Sequence, residues 1–243
     1  MKPVNQPCRI VIGASSGIAQ ALIARLLQSD QRVIAISRGP CPDSLVNTNV
    51  AWHQTSYDEA SITQCAKTLM LDCDVVHSVY LCHGQLHDAE HMPEKKIEDL
   101  DTNYLQKLYL SNTVTPMLWL KALMPLLSKQ TACRVTVFSA RVGSVSDNRL
   151  GGWYGYRASK AALNMMLKTA SVELKRRAKG VKLVSFHPGT TDTSLSKPFQ
   201  KNVPEGKLFT PDFVAQQLLS LESRLVLDGE LSYLDWQGQE IPF

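Results

Sequence analysis

Tyr156 and Lys160 are the pair of side chains whose types and spacing best suit acid–base chemistry. They lie four residues apart, so they share one face if their segment forms a helix. A tyrosine hydroxyl has a pKa of about 10 and exchanges protons poorly near neutral pH. A nearby ammonium group stabilises the phenolate and lowers that pKa. The pair predicts proton exchange with an alcohol or carbonyl oxygen, although the same spacing arises by chance in many helices.

A glycine-containing turn near the N-terminus predicts a site for a dinucleotide. The run GASSGIA (13–19) follows a short apolar run and precedes a helical pattern. Glycines there allow a sharp turn and let backbone N–H groups approach a pyrophosphate at the N-terminus of the helix. Turns also use glycine for steric reasons alone. The strand before this turn and the helix after it favour the dinucleotide site.

The end of the next apolar run indicates which dinucleotide is bound. A site for NAD usually places an acidic residue about 20 residues after the glycines, where it binds the ribose 2′-hydroxyl. Ser37 and Arg38 stand at that point in this chain. A guanidinium with no acid beside it suits a 2′-phosphate, so NADP(H) is favoured. NAD(H) stays as the alternative, and a solvated loop arginine is the non-functional interpretation of Arg38.

The elements that must position these groups alternate along the chain between short β-branched runs and amphipathic stretches. We predict strands at 8–12, 32–36, 50–54, 74–81, 133–139, 181–186 and near 231–235, and helices at 16–29, 58–71, 96–128 (interrupted), 154–178 and 210–223. Apolar strands separated by helices indicate a parallel sheet covered on both faces. The expected fold is α/β: one doubly wound, Rossmann-type domain over 1–243 with a mostly seven-stranded parallel sheet. The irregular stretch 190–209 is expected to form a substrate loop or lid.

Composition excludes several other classes of protein. The net charge of +4 comes from 26 basic and 22 acidic residues that are mixed along the chain, so no nucleic-acid partner is expected. The longest apolar stretch is interrupted by Lys121 and no signal peptide is visible, so we expect no membrane partner and a cytoplasmic location. Six cysteines without a Cys-x-x-Cys pair are interpreted as reduced thiols.

Three histidines, His83, His87 and His91, recur at helical spacing. No carboxylate or cysteine completes a convincing set of ligands around them, so no metal site is predicted. The four tryptophans, Trp153 among them, are expected to serve in core or subunit packing.

The sequence resembles the short-chain dehydrogenase/reductase family, in its single-domain form, from residue 8 to the C-terminus. The likeness is nearest to the C-factor and sniffer carbonyl-reductase branch of that family. The stretches that carry it are GQLHD (84–88), PEKKIEDLD (93–101), RVGSVSDN (141–148), GGWYGYRASKAALNM (151–165), HPGTTDT (187–193) and DWQGQEIPF (235–243).

This resemblance implies roles for individual residues. Tyr156 would be the catalytic acid/base, and Lys160 would lower its pKa and hold the nicotinamide ribose. Asn112 would lie beside a water that links Lys160 to solvent. The implied cofactor-binding residues are Gly13, Ser15, Ser16, Gly17, Ile18, Ser37, Arg38, Cys82, His83, Gly84, Tyr156, Lys160, Pro188, Gly189 and Thr193.

The chain departs from the family's pattern at the end of the fifth strand. The usual Ser-Ser pair, whose second serine binds the substrate oxygen, is Ser139-Ala140 here. Loss of one such donor can cost about 10²–10³ in rate. Ser139 is the candidate to replace it if the strand end shifts register, and Ser144 is a second candidate. The usual Asn-Asn-Ala-Gly segment is also replaced, by LCHG (81–84).

These observations predict an NADP(H)-dependent oxidoreductase that transfers a hydride between nicotinamide and a small carbonyl or alcohol substrate. The alternative is a cofactor-binding sensor or C-factor-like signalling protein with weak or no turnover, which the Ser-to-Ala departure favours. Family members often pair through the helices that match 103–128 and 154–178, so a homodimer or homotetramer is expected.

Overall fold

The computed structural model describes residues 7–46 and 48–243. Residues 1–6 and residue 47 of the predicted 1–243 domain lie outside these ranges. The strands are β1 (Cys8–Ile12), β2 (Arg32–Ser37), β3 (Val50–Gln54), β4 (Val76–Leu81), β5 (Cys133–Phe138), β6 (Val181–His187), β7 (Thr190–Thr191), β8 (Leu208–Phe209) and β9 (Ser232–Asp235). The α-helices are α1 (Gly17–Gln28), α2 (Asp43–Val46), α3 (Glu59–Asp72), α4 (Thr102–Tyr109), α5 (Thr115–Leu127), α6 (Tyr154–Arg177) and α7 (Pro211–Glu222).

Seven of these strands form one parallel sheet in the order β3-β2-β1-β4-β5-β6-β9. This confirms the predicted doubly wound α/β architecture. From β1 the strand order runs outward in both directions, through β2 on one side and β4 on the other. Ligands of such folds bind in the crevice at the carboxyl ends of the strands where the order reverses. The glycine turn after β1 lies at that crevice.

Side chains alternate along each strand and therefore build a separate core on each face of the sheet. Ile10 and Ile12 belong to the cluster under α3, α5 and α6, in which Trp119 is fully buried. Val11, between them, belongs to the cluster under α1 and α7, together with Leu218. Both faces are covered by helices, which is why the strands read as nearly continuous apolar runs.

The predicted interruption of the helix over 96–128 is confirmed. A 3-10 turn (Ile97–Asp99) precedes α4, and a π-helical turn (Leu110–Val114) joins α4 to α5. Single π-helical turns within helices are rare and frequently lie at functional sites. Within the described ranges, no helix has both the length and the apolar character needed to cross a bilayer.

The stretch 190–209 is more regular than its composition indicates. It contains the two-residue strands β7 and β8, which pair in parallel, and a 3-10 helix at Lys197–Asn202. These contacts join the two ends of the stretch, so it leaves the sheet after β6 and returns beside its own start.

The interpretation of all six cysteines as reduced thiols was wrong for one pair. Cys8, the first residue of β1, and Cys73, which follows α3, form a disulfide with their Cα atoms 6.7 Å apart. They are 65 residues apart in sequence, and only the packing of α3 against the sheet brings them together. The remaining cysteines are free, and those at 65, 82 and 133 are buried in the core as expected.

Candidate active site

Tyr156 and Lys160 lie one turn apart on the buried face of α6, near its N-terminus. The Lys160 Nζ donates a 2.8 Å hydrogen bond to the carbonyl oxygen of Phe138, at the end of β5. The same Nζ is 5.9 Å from the centre of the Tyr156 ring. The two groups that the sequence pairs by spacing are therefore brought together at the carboxyl edge of the sheet.

Burial has the largest effect on the pKa values of Tyr156 and Lys160 in the protein alone. It lowers the pKa of Lys160 to about 7 and raises the pKa of Tyr156 above its ordinary value, with a smaller contribution from Tyr233. In the protein alone the Tyr156 pKa is therefore raised by burial and not lowered, and the role of Lys160 in lowering it stays a prediction. The physical reason is that both groups leave water, and the ammonium is bonded to a backbone carbonyl instead of the phenol.

The N-terminus of α6 is fixed by an unusual run of backbone. Gly151, Gly152 and Trp153 all have positive φ, of 65°, 63° and 55°. Left-handed backbone is strained for tryptophan. Arg157 holds the run by donating to the two glycine carbonyls, at 3.0 Å and 2.8 Å. Buried Glu94 accepts a hydrogen bond from the Gly155 N–H at 3.2 Å, which satisfies a free donor in the first turn of the helix.

Asn112 lies in the π-helical turn between α4 and α5 and is fully buried. Its amide bonds both backbone groups of Gln85: the Gln85 N–H donates to Oδ1 at 2.7 Å, and Nδ2 donates to the Gln85 carbonyl at 2.8 Å. A third bond runs from Nδ2 to the Ser159 hydroxyl at 3.1 Å. A Cβ on Gly84 would be 3.4 Å from both the Asn112 Oδ1 and the Lys160 Nζ. Asn112 and Lys160 therefore flank the same loop.

The glycine turn presents free backbone donors. Ser16 caps α1 by accepting from the Ala19 N–H. The N–H groups of Gly17 and Ile18, in the first turn, donate to no acceptor in the described parts of the chain. Free N–H groups at a helix N-terminus, where the dipole is positive, are suited to a phosphate. Ser15 is exposed beside them. The residues present here fit the pyrophosphate of a dinucleotide.

Gly13 occupies a position that no other residue fits without strain. Its φ is +82°, and a Cβ there would lie 2.9 Å from the backbone nitrogen of His83. Its N–H donates to the carbonyl of Ile36 at 2.9 Å and to the Tyr57 hydroxyl at 3.0 Å. The turn is thus tied to β2 and packed against the end of β4, which explains the need for glycine in physical terms.

Arg38, which follows β2, is exposed and lies over the face of Tyr57, 5.6 Å from the ring centre. No carboxylate within residues 7–46 and 48–243 forms an ion pair with it. The buried Ser37 hydroxyl accepts from the Gly39 N–H at 3.3 Å. The N–H donors of this guanidinium are therefore free of carboxylate partners. Arg38 lies at the end of the crevice where, from the family resemblance, the adenosine ribose is expected to bind.

The segment 81–84, which replaces the family's Asn-Asn-Ala-Gly, is buried at some positions and exposed at others. Cys82 is buried in the core beside β1, whereas Gly84 is exposed. Both ring nitrogens of His83 are buried and bond to nothing in the described chain, and burial lowers the pKa of His83 to about 3. His83 lies beside Tyr57, with ring centres 5.5 Å apart.

The other two histidines of that segment lie in separate environments. His87 contacts the Leu195 carbonyl and the Phe199 ring, and His91 stacks on Tyr104. The segment is not helical, so the spacing of the histidines does not bring their rings together. No group of three metal-ligating side chains is found where the structure is described.

A cleft of about 810 Å³ opens at the carboxyl edge of β5 and β6. Ile18 of α1 lies at one end of it, and Tyr156 and Ala140 face it. The far end is built from apolar side chains of four separate segments: Leu86, Val142, Leu150, Trp153, Leu195 and Phe199. Trp153 was expected in core or subunit packing, but it lines this cleft, with its ring 5.0 Å from that of Phe199.

Ala140 lies in the cleft wall in one cluster with Leu86 and Tyr156. Neither serine proposed as its substitute presents a free hydroxyl there. Ser139 lines the cleft, but its hydroxyl donates to the Asn164 Oδ1 at 2.8 Å, and Ser144 is buried and accepts from the Asp147 N–H. Strand β5 keeps its register with β6 up to this point, so the shift that would free Ser139 does not occur.

The loop after β6 closes the cleft against the glycine turn. Pro188 and Gly189 line it, and Gly189 has a φ of +73° with a Cβ position only 2.7 Å from the Phe209 ring. The Thr193 methyl lies 3.3 Å from the Cβ position of Gly17. These residues therefore lie between the free donors of α1 and Tyr156.

The sequence predicts that 84–95, 141–154 and 190–209 shape the pocket, but it singles out no individual apolar side chain there and does not indicate His187, which also lines the cleft. The Gly-Gly pair in the sequence is a signal for the three consecutive positive φ angles at 151–153. Leu195 and Phe199 lie in the stretch 190–209 that is expected to form a substrate loop, but the place of the Phe199 ring depends on a 3-10 helix fixed by tertiary contacts.

The geometry defines a Rossmann-type oxidoreductase site, and the comparisons agree. The chain belongs to the short-chain dehydrogenase/reductase family, since the family model described as short chain dehydrogenase matches residues 8–204. The C-signal protein of Myxococcus xanthus is 33% identical over 147 residues, which cover 60% of this chain and 82% of that protein. This supports the likeness to the C-factor branch.

Two further relatives extend the match over nearly the whole chain. The (S)-benzoin-forming benzil reductase of Bacillus subtilis is 27% identical over 91% of this chain and 96% of that protein. The NADPH-bound carbonyl reductase from chicken fatty liver superposes with a TM-score of 0.83 at 23% identity, covering 98% of this chain and 99% of that one. The latter likeness shows the fold.

Proposed function

We propose that this protein is an NADP(H)-dependent oxidoreductase that interconverts a carbonyl and an alcohol on a small, largely apolar molecule. One observation carries the proposal: a single cleft is lined by Ile18 in the first turn of α1, by Tyr156 and by a chamber of apolar side chains that includes Trp153 and Phe199. A cofactor bound at the free donors of α1 and a substrate in the chamber would meet at Tyr156.

When bound, the cofactor supplies the hydride that the carbonyl carbon accepts. The chain's own residues handle the oxygen. Tyr156, whose raised pKa keeps its hydroxyl protonated, gives that proton to the developing alkoxide. Lys160 lies one turn away; the phenolate that results would favour the protonated form of Lys160, and that ammonium would stabilise the phenolate in turn. Asn112 fixes the loop at Gln85, on the other side of Lys160, where the proton can be replaced from solvent.

Arg38 supports NADP(H) over NAD(H). Its guanidinium is exposed, lies over the Tyr57 ring, and is free of carboxylate partners in the part of the chain that the structure describes. A 2′-phosphate would find a charged donor there, whereas the 2′-hydroxyl of NAD would find no acid to bind it. The chicken carbonyl reductase with the same fold binds NADPH.

The chamber supports an aromatic or otherwise apolar substrate. Its lining includes Lys95, Arg141 and Lys207 at the polar positions and, among the described residues, no carboxylate. Cationic substrates are therefore disfavoured. Rings of Trp153 and Phe199 would stack on a planar group. The relative named for benzil, a diaryl diketone, fits the same chemistry.

The proposal is tested by following NADPH absorbance with wild-type protein over a panel of carbonyl compounds that includes benzil. We expect oxidation of NADPH to be faster with aromatic ketones and diketones than with charged aldehydes. NADH in place of NADPH serves as the matched control. Absence of turnover with every carbonyl, under conditions where NADPH is bound, would overturn the proposal.

Ala140 favours a second candidate function, a cofactor-binding sensor or signalling protein with little turnover. A methyl group cannot donate to the substrate oxygen, and one relative is the C-signal protein. Under this alternative NADPH binds tightly and no carbonyl is reduced. If activity then emerges only in Ala140→Ser, the native chain has lost catalysis, and the sensor function is favoured.

We also propose that the protein is a homodimer or homotetramer. The outer face of α6 carries exposed apolar side chains, with Met165, Met166 and Val172 at 66%, 41% and 51% exposure. Exposed apolar groups in one face are typical of subunit contacts. Light scattering during size-exclusion chromatography should give at least twice the mass of 27.0 kDa, and Met165→Glu should reduce it.

A further inference from the structure

We infer that His187 supplies the hydrogen-bond donor to the substrate oxygen that Ala140 cannot supply. The inference rests on the proposed carbonyl reduction and adds a catalytic residue to it. His187 is the last residue of β6, and it lines the cleft together with Ala140 and Tyr156.

The alternation of β6 directs His187 toward the catalytic helix. Phe186 packs into the cluster under α1 and α7, so its neighbours Ser185 and His187 face the opposite side of the sheet. The Ser185 hydroxyl donates to the Asn164 Oδ1 of α6 at 2.7 Å. Asn164 follows Lys160 and Tyr156 on the same helical face, at intervals of four residues. His187 is two residues beyond Ser185, toward the cleft, on this side of the sheet.

The other polar groups near Ala140 are already engaged. The Ser139 hydroxyl donates to Asn164, and the Tyr233 hydroxyl donates to the Ala140 carbonyl at 2.6 Å. Arg141 is paired with two carboxylates, Asp147 and Asp235.

His187 has no such partner. Its ring nitrogens form no hydrogen bond within the described chain, and the residue lines the cleft. The nearby Asp235 accepts instead from Arg141 and from the N–H groups of Gln237 and Gln239.

The protonation state of His187 suits a donor. Burial, followed by the positive charge of Arg141, lowers its pKa to about 4. The imidazole is therefore neutral at pH 7, with one N–H donor and one acceptor nitrogen. A neutral donor aimed at the carbonyl oxygen strengthens its hydrogen bond as negative charge develops there, while Tyr156 gives the proton. His187 itself keeps its N–H throughout.

The test compares His187→Leu, which fills the space without a donor, with His187→Gln, which retains an N–H. With NADPH and benzil we expect His187→Leu to lower kcat by about 10²-fold with little change in KM. His187→Gln should recover at least a tenth of the wild-type kcat. Adding Ala140→Ser to His187→Leu should raise kcat more than tenfold relative to His187→Leu alone, because the serine hydroxyl would supply the missing donor. Equal kcat for His187→Leu and wild type would overturn the inference.

A second measurement separates this inference from the proposed function. The imidazole ¹⁵N signal of His187, assigned with the His187→Gln variant, is followed in the NADP⁺-loaded protein, which cannot transfer hydride to a carbonyl. Addition of benzil should shift that signal, and the signals of His53 and His77 should stay unchanged. If wild type reduces no carbonyl, the proposed function fails, and the ¹⁵N signal alone decides the inference: no shift overturns it.

Discussion

The two ends of the cleft are built from different parts of the polypeptide. The proposed cofactor end uses backbone: the free N–H groups of Gly17 and Ile18, and the close approach of Gly13 to His83. The substrate end uses side chains, chiefly Trp153 and Phe199, from segments that meet only in the folded chain.

The contrast indicates how each end constrains the sequence. A backbone site needs glycines at fixed spacing because only they adopt the required φ and leave room for close approach. A side-chain site needs only suitable shape and polarity, which many combinations of residues supply. The cofactor end should therefore tolerate few substitutions, and the substrate end should respond gradually. Tyr156 lies between them and should affect chemistry without affecting either binding step.

The largest effect is expected at this junction. Tyr156→Phe removes the hydroxyl that would protonate the substrate oxygen in the proposed mechanism, so kcat/KM for carbonyl reduction should fall about 10³-fold. NADPH affinity, measured by fluorescence titration, should stay unchanged because the ring remains in place. Tyr154→Phe, at the exposed start of the same helix, is the matched control and should behave as wild type. A large loss of NADPH affinity in Tyr156→Phe would show that the two ends are not separable.

A smaller but still large effect is expected for Gly13→Ala. An alanine would be strained at a φ of +82°, and its Cβ would lie 2.9 Å from the backbone nitrogen of His83. We expect the free energy of unfolding to fall by about 2–4 kcal/mol. NADPH affinity should also fall, because the turn must shift away from β4. Urea denaturation and fluorescence titration measure the two effects.

Gly39 provides the control for that variant. It lies near the same end of the sheet, but its φ is ordinary and nothing lies within 4 Å of its Cβ position. Gly39→Ala should therefore leave both stability and NADPH affinity unchanged. Equal behaviour of the two alanine variants would contradict the proposed backbone constraint.

Arg38→Ala tests the part of the cofactor end that does depend on a side chain. Loss of a charge-assisted hydrogen bond at this exposed position should weaken NADPH binding about tenfold. NADH binding should not change, so the preference between the cofactors should largely disappear. Isothermal titration with both cofactors measures this. Lys129→Ala, which removes a cation remote from the cleft, should alter neither affinity.

The smallest effect is expected at the apolar end. Phe199→Ala removes a half-buried ring beside Trp153, and loss of about 1 kcal/mol of apolar contact should raise the KM for benzil about fivefold. The kcat and the NADPH affinity should be unaffected. Leu71→Ala, on the exposed surface of α3, is the control. A change in NADPH affinity with Phe199→Ala would indicate that the loop over 190–209 also closes on the cofactor.

Local patterns were enough to predict much of this protein. The seven strands and the order of strands and helices follow from β-branched runs and helical periodicity, and each is confirmed with small shifts at the ends. The glycine turn was placed correctly between β1 and α1 for the same reason, since both depend on residues that are neighbours in sequence.

Tertiary structure decided what lies far apart in the chain. The Cys8–Cys73 disulfide depends on α3 packing back onto β1, and the apolar chamber depends on four segments meeting. It also decided the electrostatics of the acid–base pair. Sequence predicts Tyr156 and Lys160 on one helical face, but only burial sets their pKa values, since desolvation is a property of the surrounding atoms and not of spacing.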